Sequence, residues 1–401
     1  MLIGRAPVRV SFSGGGTDLP AYYTRFGGLV LSAAIDKYVY TIVTAGANGH
    51  LQMISADHHV AMAMPSPCLP HLRVSVAEKE HAAVPLPAAG GVQSRNGNGT
   101  AGLPEPPGEL QIPYAVLRHF QVAQPLNLFI ASEVPPGTGL GSSAATCVSV
   151  INVIAALQGL RLPAHTMAEL AFAIESEELH APVGKQDQFA AAYGGVNCIT
   201  FHPDGAVTVE PVRAAPKTLA CLNRRLMLFY TGTRRSGWAI LQEQRAHTAQ
   251  ARRPVLAALH EIKALALEMK AALEADDLDA FGELLHRAWE HKKRLASGIT
   301  TSQIDVAYET ARACGAAGGK ITGAGGGGYL LLYCREEQQP AVEQALGGLG
   351  LRRLHFHFDY EGAQVLLHTP LSPLSASPQG ATDITAPGVA RVFVGQAGER
   401  T

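Results

Sequence analysis

The residues most capable of chemistry in this chain are oxygen donors set beside glycine turns. Between the strand-like LNLFIAS (126–132) and the helical SSAATCVSVINVIAAL lies Pro135-Pro136-Gly137-Thr138-Gly139-Leu140-Gly141-Ser142-Ser143. Glycines ahead of two hydroxyls and a helix start aim several backbone N–H groups, and the positive end of a helix, at one point. An anion such as a nucleotide triphosphate fits there. Ser142 and Ser143 could bind phosphate, ligate magnesium or simply cap the helix. Further on, Glu175-Ser-Glu177-Glu178 is followed by Gly184-Lys185-Gln-Asp187. Glu177 could hold a magnesium ion, and Asp187, just past a glycine turn, could take a proton from an acceptor hydroxyl. The competing reading of the glutamates is a solvated helix face.

Two more glycine loops stand at strand ends. Ser13-Gly14-Gly15-Gly16-Thr17-Asp18 follows a first strand that carries Arg9, and KITGAGGGGY (320–329) runs into the apolar YLLLYC. Glycine costs conformational entropy wherever it is placed, so three such loops point to one composite pocket approached by bare backbone. The segment GxxxxGK followed by Ser or Thr is absent, which excludes a Walker A loop. The first strand carries no GxGxxG, which excludes a Rossmann start.

The elements that must position these loops follow from composition and pattern. The 401 residues exceed one ordinary core and predict two domains, 1–205 and 206–368. With 47 % hydrophobic and 16 % charged residues and a net charge of −1, the chain suits a soluble globular protein without a nucleic-acid surface. The N-terminus has no signal-peptide pattern and no apolar run is long enough to span a bilayer, so a cytoplasmic location is expected. The six cysteines are scattered and read as free thiols.

Strands are predicted at 3–13, 29–35, 38–45 and 225–232, with helices from 144, over 167–180 and through much of 237–295. A helix over 305–320 is predicted to end at Gly318-Gly319, and LRRLHFHFDY (351–360) reads as a half-buried strand. Residues 78–112, rich in Ala, Gly and Pro, read as a flexible insertion, and 369–401 as a disordered tail whose VARVFV could pair elsewhere. Asp57-His58-His59 lacks a third ligand and is not expected to bind metal.

APVRVSFSGGGTDL, PPGTGLGSSAA and KITGAGGGGY, in this order, resemble the three motifs of the GHMP kinases, across roughly residues 1–365. RAPVRVSFSGGGTDLPAYY, GKQDQFAAAYGG and YTGTRRSG are most similar to the D-glycero-D-manno-heptose 7-phosphate kinases of that superfamily. The resemblance implies an α+β, two-domain fold: an N-terminal α+β domain with a left-handed β-α-β crossover, and a C-terminal ferredoxin-like domain. It implies transfer of phosphate from ATP, with Mg2+, to the anomeric hydroxyl of a sugar phosphate. A fucokinase-like or other sugar-1-kinase is the alternative, and a non-catalytic sugar and ATP sensor is the reading from another class.

The residue roles it implies are these. Pro136, Gly137, Thr138, Gly139, Leu140, Gly141, Ser142 and Ser143 wrap the ATP phosphates. Ser143 and Glu177 ligate magnesium; the separation from Glu177 to Asp187 is slightly shorter than in mevalonate kinases, so Glu175 and Glu178 stay open. Asp187 is the catalytic aspartate, stabilised by Arg9. Gly15, Gly16, Thr17, Asp18, Gly325 and Gly326 shape the acceptor site. Lys185 and Arg234, with Arg235, are candidates for the acceptor's phosphate, because a sugar phosphate beside ATP needs local cations. The partners expected are small molecules, with a homodimer as candidate assembly and neither nucleic acid nor membrane.

Overall fold

The computed structural model describes residues 1–46, 49–65, 106–232, 237–371 and 391–394. The first seven strands, β1 (Leu2–Ser13), β2 (Gly28–Ala45), β3 (His50–Ser55), β4 (Val60–Pro65), β5 (Leu126–Ser132), β6 (Val196–Phe201) and β7 (Val207–Pro211), lie in one sheet. Four more, β8 (Leu226–Tyr230), β9 (Ala316–Ile321), β10 (Tyr329–Cys334) and β11 (Arg352–Leu354), form a second. Two late strands, β12 (Gln364–His368) and β13 (Arg391–Val394), return to the first sheet on β1 and β4. Its main path runs β12-β1-β2-β5-β3-β4-β13, with β6 on the long strand β2 and β7 beyond it. Among the described strands only the β3–β5 pair is parallel.

Helices α1 (Pro20–Phe26), α2 (Gln111–His119), α3 (Ser142–Leu157), α4 (Ala164–Ala173) and α5 (Gln186–Tyr193) belong to the first unit. Cys147, Val148, Val150, Ile151, Val153 and Ile154 are all buried. A helix apolar around most of its circumference belongs inside a core, and α3 packs on β1 and β2 with α2, α4 and α5 around it. The second unit holds α6 (Pro216–Arg225), α7 (Trp238–Ala249), α8 (Arg253–Glu274), α9 (Leu278–Lys292), α10 (Ser302–Ala313) and α11 (Gln339–Gly348). Its sheet order, β11-β8-β10-β9, is that of a ferredoxin-like unit, with helices between β8 and β9 and α11 between β10 and β11. Among the described residues no helix is long and apolar enough to cross a membrane.

Several local expectations change. The helix expected to run to Gly318-Gly319 stops at Ala313, and those glycines lie inside β9. The reason is packing. A Cβ on Gly318 would fall 2.1 Å from the Gly282 carbonyl oxygen of α9, and one on Gly319 would fall 2.5 Å from the Leu331 carbonyl. These glycines let a helix and a neighbouring strand close on β9. KITGAGGGGY is therefore a turn between two antiparallel strands. LRRLHFHFDY supplies only the short β11; beyond it, Phe356 and Phe358 are buried while His355 and His357 are exposed, and Phe358 bridges to Ile35 of the first sheet. The first sheet also keeps β7 and β12, so it extends past 205 and regains the chain at Gln364. Cys147, Cys198 and Cys334 are buried free thiols; Cys221 and Cys314 are half-buried and free; Cys68 is outside the described residues. Most of the insertion and most of the tail also lie outside them.

Candidate active site

The three glycine loops meet where the two units face each other. Gly137, Gly139 and Gly141 all have positive φ. The N-cap of α3 is Gly141, which has no side chain to accept from the first-turn N–H groups and leaves that helix end open to an outside acceptor. The adjoining cleft is lined by Pro136, Gly137, Ser142, Ser143 and Thr146, with Asp57 and His58 from the β3–β4 turn opposite. The turn of 320–329 closes the loop from behind. A Cβ on Gly323 would lie 2.4 Å from the Gly139 Cα, and one on Gly328 would lie 2.2 Å from the Thr138 carbonyl oxygen. Both glycines adopt positive φ as well, so backbone rests directly on backbone.

Arg9 links this loop to Asp187. Its backbone N–H donates to the Leu140 carbonyl at 2.9 Å. Its Nη1 donates to the Gly139 carbonyl at 2.7 Å, and its Nε donates to Asp187 Oδ1 at 2.8 Å. Nη2 reaches the same oxygen at 2.6 Å. A Cβ on Gly141 would stand 3.3 Å from Asp187 Oδ2; the glycine lets the carboxylate approach the loop.

Ser143 does not cap its helix. Its Oγ hydrogen-bonds Glu175 Oε1, and Gln188 Nε2 donates to Glu175 Oε2 at 2.6 Å. Glu175 sits in a widened π turn, Ile174–Glu178, a feature that often marks functional sites. It is 1 % exposed and has no cationic partner among the described residues. Burial pushes its carboxyl up to about 7, against the lowering bonds from Ser143 and Gln188.

A second cavity adjoins the free side of Asp187. It is lined by Arg9, Ser11, Gly15, Gly16, Asp18, Gly184, Gln186 and Asp187 from the first unit, and by Leu241, Gln244, Lys292, Lys320, Gly323 and Ala324 from the second. Asp18 is buried and accepts from the N–H groups of Gly16 at 2.8 Å and Gln186 at 3.3 Å. Burial, reinforced by Asp187, raises its pKa. Gly184 makes room for it, since a Cβ there would lie 2.0 Å from Asp18 Oδ2.

Two amines complete the cavity, that of Lys320 from a buried residue and that of Lys292 from a half-buried one. Lys320 Nζ donates to the Ser11 carbonyl at 2.6 Å. Lys292 Nζ, at the end of α9, donates to the carbonyls of Ile321 and Gly323 at 2.9 and 2.5 Å. Neither meets a carboxylate at ion-pair distance among the described residues. Burial and then Arg9 lower Lys292 to about 7; burial, Lys292 and Arg9 hold Lys320 well below the usual lysine range.

The chain matches the GHMP kinases N terminal domain over residues 111–195 and the GHMP kinases C terminal domain over 269–350. The chain carries both GHMP kinase domains, in this order. Those kinases use ATP as phosphate donor. A D-glycero-alpha-D-manno-heptose 7-phosphate kinase of Campylobacter jejuni is 29 % identical over 334 residues, 82 % of this chain and 88 % of that one. An L-fucokinase/L-fucose-1-P guanylyltransferase of Bacteroides fragilis is 28 % identical over 84 % of this chain, which spans 35 % of that longer protein. Among solved structures, a putative sugar kinase from Campylobacter jejuni aligns with a TM-score of 0.68 at 26 % identity, covering 91 % of this chain and 97 % of that one. A D-glycero-D-manno-heptose 1-phosphate kinase from Bacteroides thetaiotaomicron shares the fold, with a TM-score of 0.70 at 24 % identity and coverage of 92 % and 100 %.

With both GHMP kinase domains in place, the expected site residues separate into those brought together and those that are not. Arg9, Asp187, Asp18, Gly15 and Gly16 line one cavity, and Ser143 lines the cleft beside α3. Thr138 and Leu140 are fully buried within the 136–143 loop, so their side chains anchor it rather than face the cleft. Glu177 is exposed and does not reach Ser143; Glu175, one of the alternatives kept open, does. Glu178 pairs instead with Arg118 at 2.9 Å and His119 at 3.4 Å. Thr17 turns inward, bonding Gly14 and Leu29. Gly325 and Gly326 lean on Ile299, whose carbonyl accepts the Gly326 N–H, while Gly323 and Ala324 line the cavity.

Lys185 also points elsewhere. Its ammonium lies on Glu169 at 2.9 Å and on the Gly205 carbonyl at 2.8 Å, because a buried lysine requires a counter-charge. Arg234 and Arg235 lie outside the described residues. Lys292, Lys320 and Gln244 had no visible role in the sequence, and Asp57 and His58, not expected to bind metal, line the cleft beside α3. Among the described residues no group of three or more His, Cys, Asp and Glu side chains could hold a metal.

Proposed function

We propose that this chain is a sugar kinase that phosphorylates the anomeric hydroxyl of D-glycero-D-manno-heptose 7-phosphate, giving the 1,7-bisphosphate used in nucleotide-heptose synthesis. The observation that carries an anionic ligand in the Asp187 cavity is the pair Lys292, half-buried, and Lys320, buried, whose amines meet only carbonyl partners among the described residues. A buried amine without an acid is costly unless a ligand brings the anion. The likeness to the Campylobacter heptose 7-phosphate kinase supports the choice of sugar.

In this reading the acceptor lies between Asp18 and Asp187, and the ATP phosphates lie along 137–143 with the first turn of α3 beneath them. The anomeric oxygen attacks the γ-phosphorus as its proton passes to Asp187 Oδ2, and the bond to the ADP oxygen breaks. Arg9 keeps Asp187 aligned and tethers it to the loop that holds the donor. Lys292 sits between loop and acceptor, where charge builds as the phosphoryl group crosses.

The residues present fit a magnesium ion. Ser143 Oγ and Glu175 are hard oxygen donors, and Glu175 is a buried carboxylate without a cation. Mg2+ commonly takes one or two protein oxygens and completes its shell with phosphates and water. Ser143 and Glu175 would hold it, and when bound it would neutralise charge on the donor phosphates.

ADP release, measured over a panel of heptose 7-phosphate, the unphosphorylated heptose, L-fucose, galactose and mevalonate, tests the proposal. The expected result is a kcat/KM for the sugar phosphate at least tenfold above every neutral sugar. Preference for fucose would move the assignment to the fucokinase-like reading, and ATP binding without turnover of any acceptor would favour the sensor.

A further inference from the structure

Three buried polar atoms in the Asp187 cavity have no hydrogen-bond partner among the described residues: Ser11 Oγ, Gln186 Oε1 and Gln244 Nε2. Ser11 is 3 % exposed and Gln244 is 5 % exposed. All three gather on the Gly15-Gly16 turn. A Cβ on Gly15 would lie 3.8 Å from Ser11 Oγ and 3.6 Å from the Gln186 amide nitrogen, and one on Gly16 would lie 2.1 Å from Gln244 Nε2. Gly16 has φ +96, so a side chain there would be strained as well as blocked. The glycines thus leave room for these polar groups.

Buried polar groups are nearly always satisfied, and an orphaned one costs free energy in the empty protein. Three around one cavity, beside the carboxylate of Asp18, form an unfilled set of donors and acceptors: an amide N–H, an amide carbonyl and a hydroxyl that can act as either. Adjacent hydroxyls on a sugar ring present the complementary pattern. Gln244 differs from the others in origin. It stands on α7 of the second unit, whereas Ser11 and Gln186 belong to the first.

We infer that Gln244 is a specificity-determining residue. Its amide donates to an acceptor hydroxyl that Ser11 or Gln186 also contacts, so a polyhydroxylated acceptor joins α7 to the Gly15-Gly16 turn. The inference rests on the acceptor being a sugar, as proposed above, but not on which sugar it is.

The test is Gln244→Leu, compared with wild type by calorimetric binding of heptose 7-phosphate, or the best sugar of the panel, to enzyme carrying a non-hydrolysable ATP analogue. Thermal unfolding of the free protein is measured alongside. Acceptor affinity falls about tenfold, the loss of one good hydrogen bond, while ATP KM stays within about twofold. The ligand-free variant melts no lower than wild type, because an apolar side chain has replaced an orphaned donor. A monodeoxy sugar lacking the contacted hydroxyl binds both proteins alike. Unchanged acceptor affinity overturns the inference and leaves the kinase reading standing, as does equal weakening of acceptor and ATP or a lowered melting temperature with normal binding. If wild type binds no sugar of the panel, both the kinase reading and this inference fall.

Discussion

Arg9 places both its Nε and its Nη2 on one oxygen of Asp187, Oδ1, and its third nitrogen on the carbonyl of Gly139. Among the described residues Oδ2 takes no hydrogen bond and faces the cavity. One arginine therefore sets the orientation of the carboxylate and fixes its distance from the phosphate loop. Asp187→Asn keeps much of this geometry and loses the proton acceptor. It should bind ATP normally and turn over about 10²-fold or more slowly. Steady-state kinetics with nucleotide titration checks this, and wild-type turnover would remove Asp187 from the chemistry.

Arg9→Lys tests the orienting role separately. A lysine supplies the charge but cannot bridge carboxylate and carbonyl together. A fall in kcat of about tenfold or more with little change in ATP KM is expected; full activity would mean that charge alone suffices.

The glutamates divide cleanly in space, and their variants should divide too. Glu175→Gln should lower kcat and raise the Mg2+ concentration needed for half-maximal rate by about 10- to 100-fold. Glu177→Gln should remain within about twofold of wild type, because Glu177 is exposed. A magnesium titration of both variants reads the difference, and the opposite pattern would return the role to Glu177.

Lys292 provides a pH signature. Its pKa is depressed to about 7 by burial and Arg9, with Lys320 nearby and Asp18 and Asp187 opposing. At pH 7 the free protein holds it near half-protonated, and an incoming anion raises its pKa. Binding therefore takes up a fraction of a proton, greatest at and just above pH 7 and fading well below it, where the amine is already charged. Calorimetry of ATP binding in two buffers of different ionisation enthalpy should show this uptake in wild type and less of it in Lys292→Met. Identical uptake in both would dissociate Lys292 from the anion.

Lys185 should behave as a structural residue. Lys185→Met strands Glu169, which is partly exposed, and should cost about 1–3 kcal/mol of stability. The preference for phosphorylated over unphosphorylated sugar should not move. A selective loss on the phosphorylated sugar would reinstate Lys185 as a phosphate ligand.

The parts of the site legible in the sequence were those carried by local chemistry. Gly137, Gly139 and Gly141 before a helix, Asp187 past a glycine turn, and Arg9 on the first strand could be read because each loop announces itself in consecutive residues. Glu175 had a weaker signal. It continues the inward stripe of Ala168 and Ala171, whereas Glu177 falls on the outer face. Lys292 and Gln244 gave no such cue, since each reaches the cavity from a helix of the second unit through tertiary packing alone. Gly318 and Gly319 misled because a glycine pair after a helical run resembles a cap. Only the approach of Gly282 from α9 explains why they sit in a strand.

The most direct test of the account is phosphorus NMR on the products of ATP and D-glycero-D-manno-heptose 7-phosphate with the wild-type enzyme. The expected products are ADP and a sugar with one new phosphomonoester signal coupled to the anomeric proton, with the 7-phosphate retained. A new phosphate on any other carbon, or no new sugar phosphate while a neutral sugar is phosphorylated readily, would contradict it.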